Sequence, residues 1–258
     1  RCGFTCELVL KNKRRDCVSQ QLADSYLFAC CDVASLPPLE VTWQHKETTL
    51  QPLTPTIVKA SEHPVVLPIL ETQRLTLIPP REQDTSLLHQ ALLASINEVG
   101  PWFSWATPEV TQQQMAVHVA EGMLASKDVQ AYGHLFYLVW DKQQDTLLGE
   151  VWCNIKDWTV LHTGIGYWFD SRQTGHGYAT EAVARLTQYA FQEINAKRVY
   201  LDVAADNHSS LKLAKRLGFV HEGTLKHYFR HFITNKAVDA EMFAVTDLSL
   251  LNEETQWS

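Results

Sequence analysis

From Pro64 onward the apolar positions fall into two periods. ETQRLTLIP alternates, with Leu75 and Leu77 on one side, and predicts a strand. EQDTSLLHQALLASINEV places Leu87, Leu88, Ala91, Leu92 and Ile96 at helical spacing. TPEVTQQQMAVHVAEGMLASK predicts a second helix, with Thr107 as N-cap and Pro108 in the first helical position. Three strand-like runs follow, HLFYLVWD, TLLGEVWCNI and TGIGYWF, with DKQQD suited to a hairpin turn between the first two. ATEAVARLTQYAFQEI is helical, with Val183, Leu186, Ala190 and Ile194 on one face. RVYLDVAA reads as a buried strand, SSLKLAKRLGF as a helix closed by Gly218, and AEMFAVTDL as a last strand. The order β, α, α, β, β, β, α, β, α, β, β predicts a mixed α/β domain, one sheet with helices on both faces.

Residues 1 to 63 show no such regularity. VSQQLADSYLFACCDVASL suits a short helix and LEVTWQHKETTL a strand, and prolines punctuate the rest. The expectation is a poorly specified appendage over 1–63 and one domain over 64–258. The chain opens on Arg1 and its first methionine is Met115, which fits a missing N-terminal piece, a non-Met start codon, or an upstream extension over 1–63 that is not made in the cell. Five of six cysteines lie in this stretch (Cys2, Cys6, Cys17, Cys30, Cys31), without a CxxC pair. Unrelated thiols are the simplest reading, a disulfide cluster the alternative, and no metal is expected. Cys153 sits in a strand-like run and reads as a small buried hydrophobe.

Composition narrows the function classes. With 45% hydrophobic and 20% charged residues the chain is ordinary for a globular protein. A net charge of −7 argues against a nucleic-acid surface. No apolar run approaches the ~18 residues of a membrane span. No clean apolar segment follows the basic KNKRR, so the expected compartment is the cytoplasm.

The chemistry concentrates at DSRQTGHGYATEAV. Two glycines two apart stand between a predicted strand and a predicted helix. Glycine permits positive φ and lets backbone N–H groups approach a ligand. The first N–H groups of a helix lack internal partners, and with the helix dipole they favour an anion. A phosphate or pyrophosphate fits. A P-loop would need Lys-Ser/Thr after the second glycine, where Tyr178-Ala179 stands; a dinucleotide fingerprint would need a third glycine in register.

The pattern present, Arg172-x-x-Gly175-x-Gly177-x-Ala179, resembles the pyrophosphate loop of the GNAT N-acetyltransferases. With IGYWFD before it and DNHSSLKLAKRLGFVHEGTLK after it, the chain is similar to the RimJ/RimL branch, which acetylates ribosomal-protein N-termini. ETQRLTL and LLGEVWCN extend the likeness to about residues 68–248.

The resemblance implies a twisted mixed sheet of about seven strands, splayed between the fourth (residues 165–169) and the fifth (198–204). It implies acetyl-CoA as donor, its pantetheine arm in the splay beside Trp168 and Phe169. The pyrophosphate would lie over Gln173, Thr174, Gly175, His176 and Gly177, with Tyr178 and Ala179 opening the helix and Arg172 near the phosphates. Asn207 would contact the pantetheine arm and Ser210 would protonate the leaving thiolate, since the helix after Asn207 carries no tyrosine. A plain N-cap role for Asn207 or Ser209 stays open. Where the branch has a glutamate base after the EG pair, this chain has Phe229, a departure that leaves Glu150, His227 and His231 as candidate bases. Glu222, beside Gly223, reads as structural. Trp102, Phe103 and Trp105 form either an acceptor wall or core packing, and Asn154 and Tyr167 complete the expected acceptor site. The expected acceptor is a protein N-terminal amine; a small amine such as a polyamine or aminoglycoside, and an acyl-CoA sensor without turnover, are the alternatives. The expected assembly is a monomer or homodimer.

Overall fold

The computed structural model describes residues 66–252 in full and, before them, the backbone of residues 5–15 and 22–29. Among these residues ten strands form one sheet: β1 (Thr5–Arg15), β2 (Leu22–Ala29), β3 (Leu70–Glu71), β4 (Leu75–Ile78), β5 (His134–Asp141), β6 (Thr146–Asp157), β7 (His162–Phe169), β8 (Arg198–Ala204), β9 (Val220–Arg230) and β10 (Ala237–Val245). Their order is β2-β1-β9-β10-β8-β7-β6-β5-β4-β3. Every neighbouring pair is antiparallel except β7 and β8. Eight of these strands lie within 66–252, one more than the seven expected, because two-residue β3 folds back on β4.

Among the described residues six α-helices flank the sheet: α1 (Thr85–Ala94), α2 (Ile96–Val99), α3 (Gln112–Lys127), α4 (Val129–Tyr132), α5 (Tyr178–Gln192) and α6 (His208–Leu217). On one face α5 and α6 bury Val183, Leu186, Ala190, Leu213 and Leu217 against Leu135, Tyr137, Val139 and Val199. On the other, α1 and α3 bury Leu88, Leu92, Met115 and Val119 against Phe136, Leu138 and Trp140. β5 is therefore covered on both sides, which is why its sequence is a continuous apolar run rather than an alternation. Cys153 is fully buried in the α5 face, its thiol pushed up to about 12 by burial, with a hydrogen bond to Thr163 pulling the other way.

Two expectations are corrected. The second predicted helix begins at Gln112, capped by Thr111 rather than Thr107. Thr111 Oγ1 accepts from Gln114 N–H at 3.2 Å, and Gln114 Oε1 accepts from Thr111 N–H at 2.8 Å. This reciprocal box satisfies two amide donors, whereas Thr107 ends in a turn closed by Val110 N–H. The predicted helix around 18–36 is a strand over 22–29, hydrogen-bonded to β1, which pairs with β9 at Leu8↔Gly223. Tyr26 and Phe28 favour that state, and the hairpin supplies backbone partners along its length. The strand expected at 39–50, and the cysteines other than Cys6 and Cys153, lie outside the described residues.

The feature that positions the site is the one parallel ladder. β7 and β8 pair at His162↔Arg198, Thr163↔Val199 and Gly164↔Tyr200, and the pairing stops there. β7 stays bonded to β6 as far as Phe169, and β8 to β10 as far as Ala204. The sheet thus opens into a V over residues 165–169 and 201–204. Its closed end is held by Arg198, 1% exposed, whose guanidinium donates to Glu222 at 2.6 Å. Glu222 has the structural role read from sequence. Removing one partner of such a buried pair costs about 3–5 kcal/mol, because the other charge is left in the core.

Candidate active site

A cavity of about 780 Å³ occupies the V and reaches both faces of the sheet. One end is the glycine loop. Gly175 (φ +87°) and Gly177 (φ +80°) both take left-handed backbone. A Cβ at Gly175 would meet nothing within 4 Å, so conformation rather than space selects glycine there. Gly177 is the N-cap of α5 and no side chain caps that helix, which leaves its first amides to a ligand. The preceding turn is pinned to the end of α1: Ser171 N–H donates to the buried Ser95 Oγ at 2.8 Å.

Gln173, Thr174, Gly175, Gly177, Tyr178 and Ala179 line the cavity, with Trp168 and Phe169. Arg172 and His176 do not. The Arg172 guanidinium is tied back to Asp170, its Nε donating at 2.9 Å, and the side chain is 61% exposed. Burial alone would raise the Asp170 pKa, but the hydrogen bonds and charge of Arg172 together outweigh it and hold the carboxyl below its ordinary value. The cations that do line the cavity are Lys212 and Arg216 on α6, with Lys156 and Arg230 further along. Sequence reasoning missed the α6 pair, though Ser209, Lys212 and Arg216 repeat at helical spacing and share a face.

At the middle of the V, Ser210 and Tyr167 both line the cavity. Asn207 caps α6, its Oδ1 accepting from Ser210 N–H at 3.2 Å and from Ser209 Oγ at 2.9 Å. The cap role is therefore present, and it orients Ser210 at the same time. The Tyr167 hydroxyl oxygen is buried without a hydrogen bond. Burial pushes its pKa up to about 12, and the nearby Ser210 pulls it back without closing a bond by geometry.

The far end is made of side chains. Trp102, Phe103, Trp152, Asn154, Lys156, Phe229 and Arg230 line it. The Trp152 indole packs on Gly166 of β7, where a Cβ would come within 2.3 Å of it. The glycine of IGYWF thus makes room for Trp152, and it lines the cavity as well. The loop after β9 closes over this end: Phe232 N–H donates to Pro101 carbonyl at 3.0 Å, and His231 meets the Trp102 ring edge-on at 5.3 Å.

Trp105, Glu150 and His227 lie outside the cavity lining. Glu150 is 1% exposed and bonded to His118 Nε2 at 3.0 Å, with Trp105 stacked on the imidazole at 5.7 Å. Burial alone would lower the His118 pKa, but the charge and hydrogen bond of Glu150 outweigh it and raise it. His227 is exposed at a left-handed kink (φ +53°), its amide donating to Asp239. No cluster able to hold a metal occurs among the described residues.

A helix N-terminus, an unpaired slit in a sheet and a serine beside them suit an extended donor with an anionic end. Residues 74–220 match the acetyltransferase (GNAT) domain. The chain belongs to the GNAT acetyltransferase family. It is 27% identical over 183 residues to an uncharacterized N-acetyltransferase, p20, of Bacillus licheniformis, covering 68% of this chain and 94% of that protein. It is 28% identical over 102 residues to the ribosomal-protein-serine acetyltransferase of Escherichia coli, covering 40% of this chain and 56% of that one. Its fold is shared with RimL, a ribosomal α-N-protein acetyltransferase in complex with coenzyme A, at a TM-score of 0.64 and 22% identity over 70% of this chain and 99% of that one. This GNAT protein is thus an acetyltransferase, and no helix among its described residues is long and apolar enough to cross a membrane.

Proposed function

We propose that this GNAT enzyme moves the acetyl group of acetyl-CoA to the α-amine of a protein N-terminus. Support comes first from the cavity, which joins the α5 amides to an aromatic pocket through the slit at Ser210. The neutral acceptor nitrogen forms a bond to the thioester carbonyl carbon and the C–S bond breaks; the Ser210 hydroxyl gives its proton to the departing sulfur, directly or through water, and regains one from the proton that the acylated nitrogen gives up through water. Tyr167 is the second donor within reach of that point.

The observation that favours an α-amine is Phe229, which lines the acceptor end in the position read from sequence for a glutamate base. An α-amino group titrates near pH ~8, an alkylammonium such as lysine near ~10.4. An α-amine therefore offers a usable neutral fraction without a strong base, and a polyamine does not. Charge points the same way. The acceptor end is lined by Lys156 and Arg230, a poor match for a polycation. The similarity to a ribosomal-protein-serine acetyltransferase is consistent with this reading. Thiol release from acetyl-CoA, measured with N-terminal peptides, spermidine and an aminoglycoside, tests it. Turnover with peptides alone is expected; faster turnover with spermidine overturns the reading.

A further inference from the structure

Arg74, on the loop before β4, touches the glycine loop from outside the cavity lining. Its Nη1 donates to the His176 carbonyl at 2.9 Å, its Nε donates to Glu181 Oε2 at 2.7 Å, and its Nη2 lies 2.6 Å from the same oxygen. Glu181 sits in the first turn of α5 with its side chain fully buried. Its other oxygen accepts from Thr72 Oγ1 at 2.5 Å and from Arg74 N–H at 3.1 Å. The guanidinium also lies 4.9 Å from the centre of the Tyr178 ring, whose hydroxyl donates to Asp141 at 2.7 Å. One arginine thus ties the loop, the first turn of α5 and the edge of the sheet together.

The consequence follows from peptide geometry. The His176 carbonyl and the Gly177 N–H belong to one planar trans unit and point in opposite directions. With the carbonyl held by Arg74, the N–H is directed away from Arg74. Gly177 lines the cavity and Arg74 does not, so the face opposite Arg74 is the one open to a ligand. At φ +80° Gly177 has a wide choice of conformations in an untethered chain, and the bond from Arg74 removes that choice.

We propose that Arg74 is a positioning residue for the donor. By holding the His176 carbonyl it presents the Gly177 amide to the pyrophosphate of the donor, and Glu181 in turn fixes the fork of the guanidinium. The proposal rests on the acetyl-CoA reading above. Its specific content is that Arg74 governs recognition of the pyrophosphate and leaves the pantetheine arm alone.

The test compares coenzyme A with pantetheine, which lacks the pyrophosphate, by calorimetry and by competition against acetyl-CoA. Arg74→Ala removes both bonds. Arg74→Lys keeps a cation for Glu181 but cannot span to the carbonyl, and so guards against loss of folding. Both variants are expected to weaken coenzyme A about tenfold, the scale of one charge-assisted hydrogen bond, and to move pantetheine less than twofold. In turnover the KM for acetyl-CoA rises and kcat at saturation holds. Equal losses for coenzyme A and pantetheine, or a fall in kcat alone, would mean Arg74 is only structural. If the wild-type protein bound no coenzyme A, the donor reading itself would fall; if it bound and the variants matched it, only this inference would.

Discussion

The two ends of the cavity are built from different materials. The donor end is backbone: two left-handed glycines, an uncapped helix start, and side chains such as Arg74, Glu181 and Ser95 that brace it from behind. The acceptor end is side chain: Trp102, Phe103, Trp152, Asn154, Lys156, Phe229 and Arg230 from three separate segments. A backbone site needs few particular side chains, but those few must be glycine or must hold a peptide plane. A side-chain site can be altered residue by residue without disturbing the frame. The two ends should therefore answer differently to mutation.

The largest effect is expected where the ends meet. Ser210→Ala should lower kcat by ~10²–10⁴-fold, the range of a positioned proton donor, with acetyl-CoA affinity nearly intact. Stopped-flow thiol release checks this; unchanged kcat with a small stability loss would leave Ser210 a helix residue only, and Tyr167→Phe would then take its place as the variant to measure. At the donor end, Gly177→Val forces a β-branched residue into φ +80°. A strain of ~1–3 kcal/mol should appear as loop distortion, and acetyl-CoA affinity by calorimetry should fall about tenfold or more. At the acceptor end, Lys156→Glu and Arg230→Glu should change the KM for peptides a few-fold, more at low salt, and leave the KM for acetyl-CoA unmoved. A parallel shift in both KM values would erase the proposed division.

Smaller effects concern the frame. Burial, helped by the His118 and Lys156 charges and opposed by Glu150, lowers the His134 pKa from 6.5 to about 4. The folded state thus prefers the neutral ring. Its contribution is present above pH 6.5 and is lost as pH falls from 6.5 toward 4. His134→Gln should flatten the fall in thermal midpoint across that window. The smallest change is expected on starting the chain at Glu62. We propose that residues 64–258 are the complete catalytic unit, and acetyl-CoA affinity should stay within about twofold; loss of folding would instead make the β1–β2 hairpin part of the frame.

The same division explains what was legible in the sequence. The glycine loop and the helices and strands around it are contiguous, so their periodicity and turn residues announced them. Arg172 pairs instead with Asp170, two residues away in a turn, and composition does not say which anion a cation will choose. Glu150 pairs out of sight of the local sequence, for the opposite reason: His118, which takes it up, is 32 positions distant and on another element. Thr107 and Thr111 carry the same cap chemistry, and only Gln114 in the third helical position separates them. The acceptor wall draws on residues about 130 apart, a pairing that nothing local encodes.

The V in the sheet has one more consequence. Over residues 165–169 and 201–204, β7 and β8 form no ladder with each other, so the interior carries two unpaired strand edges. Edges of this kind, left open on a surface, template aggregation. A bound donor arm lying between them would act as a surrogate strand and complete the sheet. Donor occupancy should then slow amide hydrogen exchange on both edges and suppress self-association. In that sense the donor is as much a missing piece of the fold as a reactant.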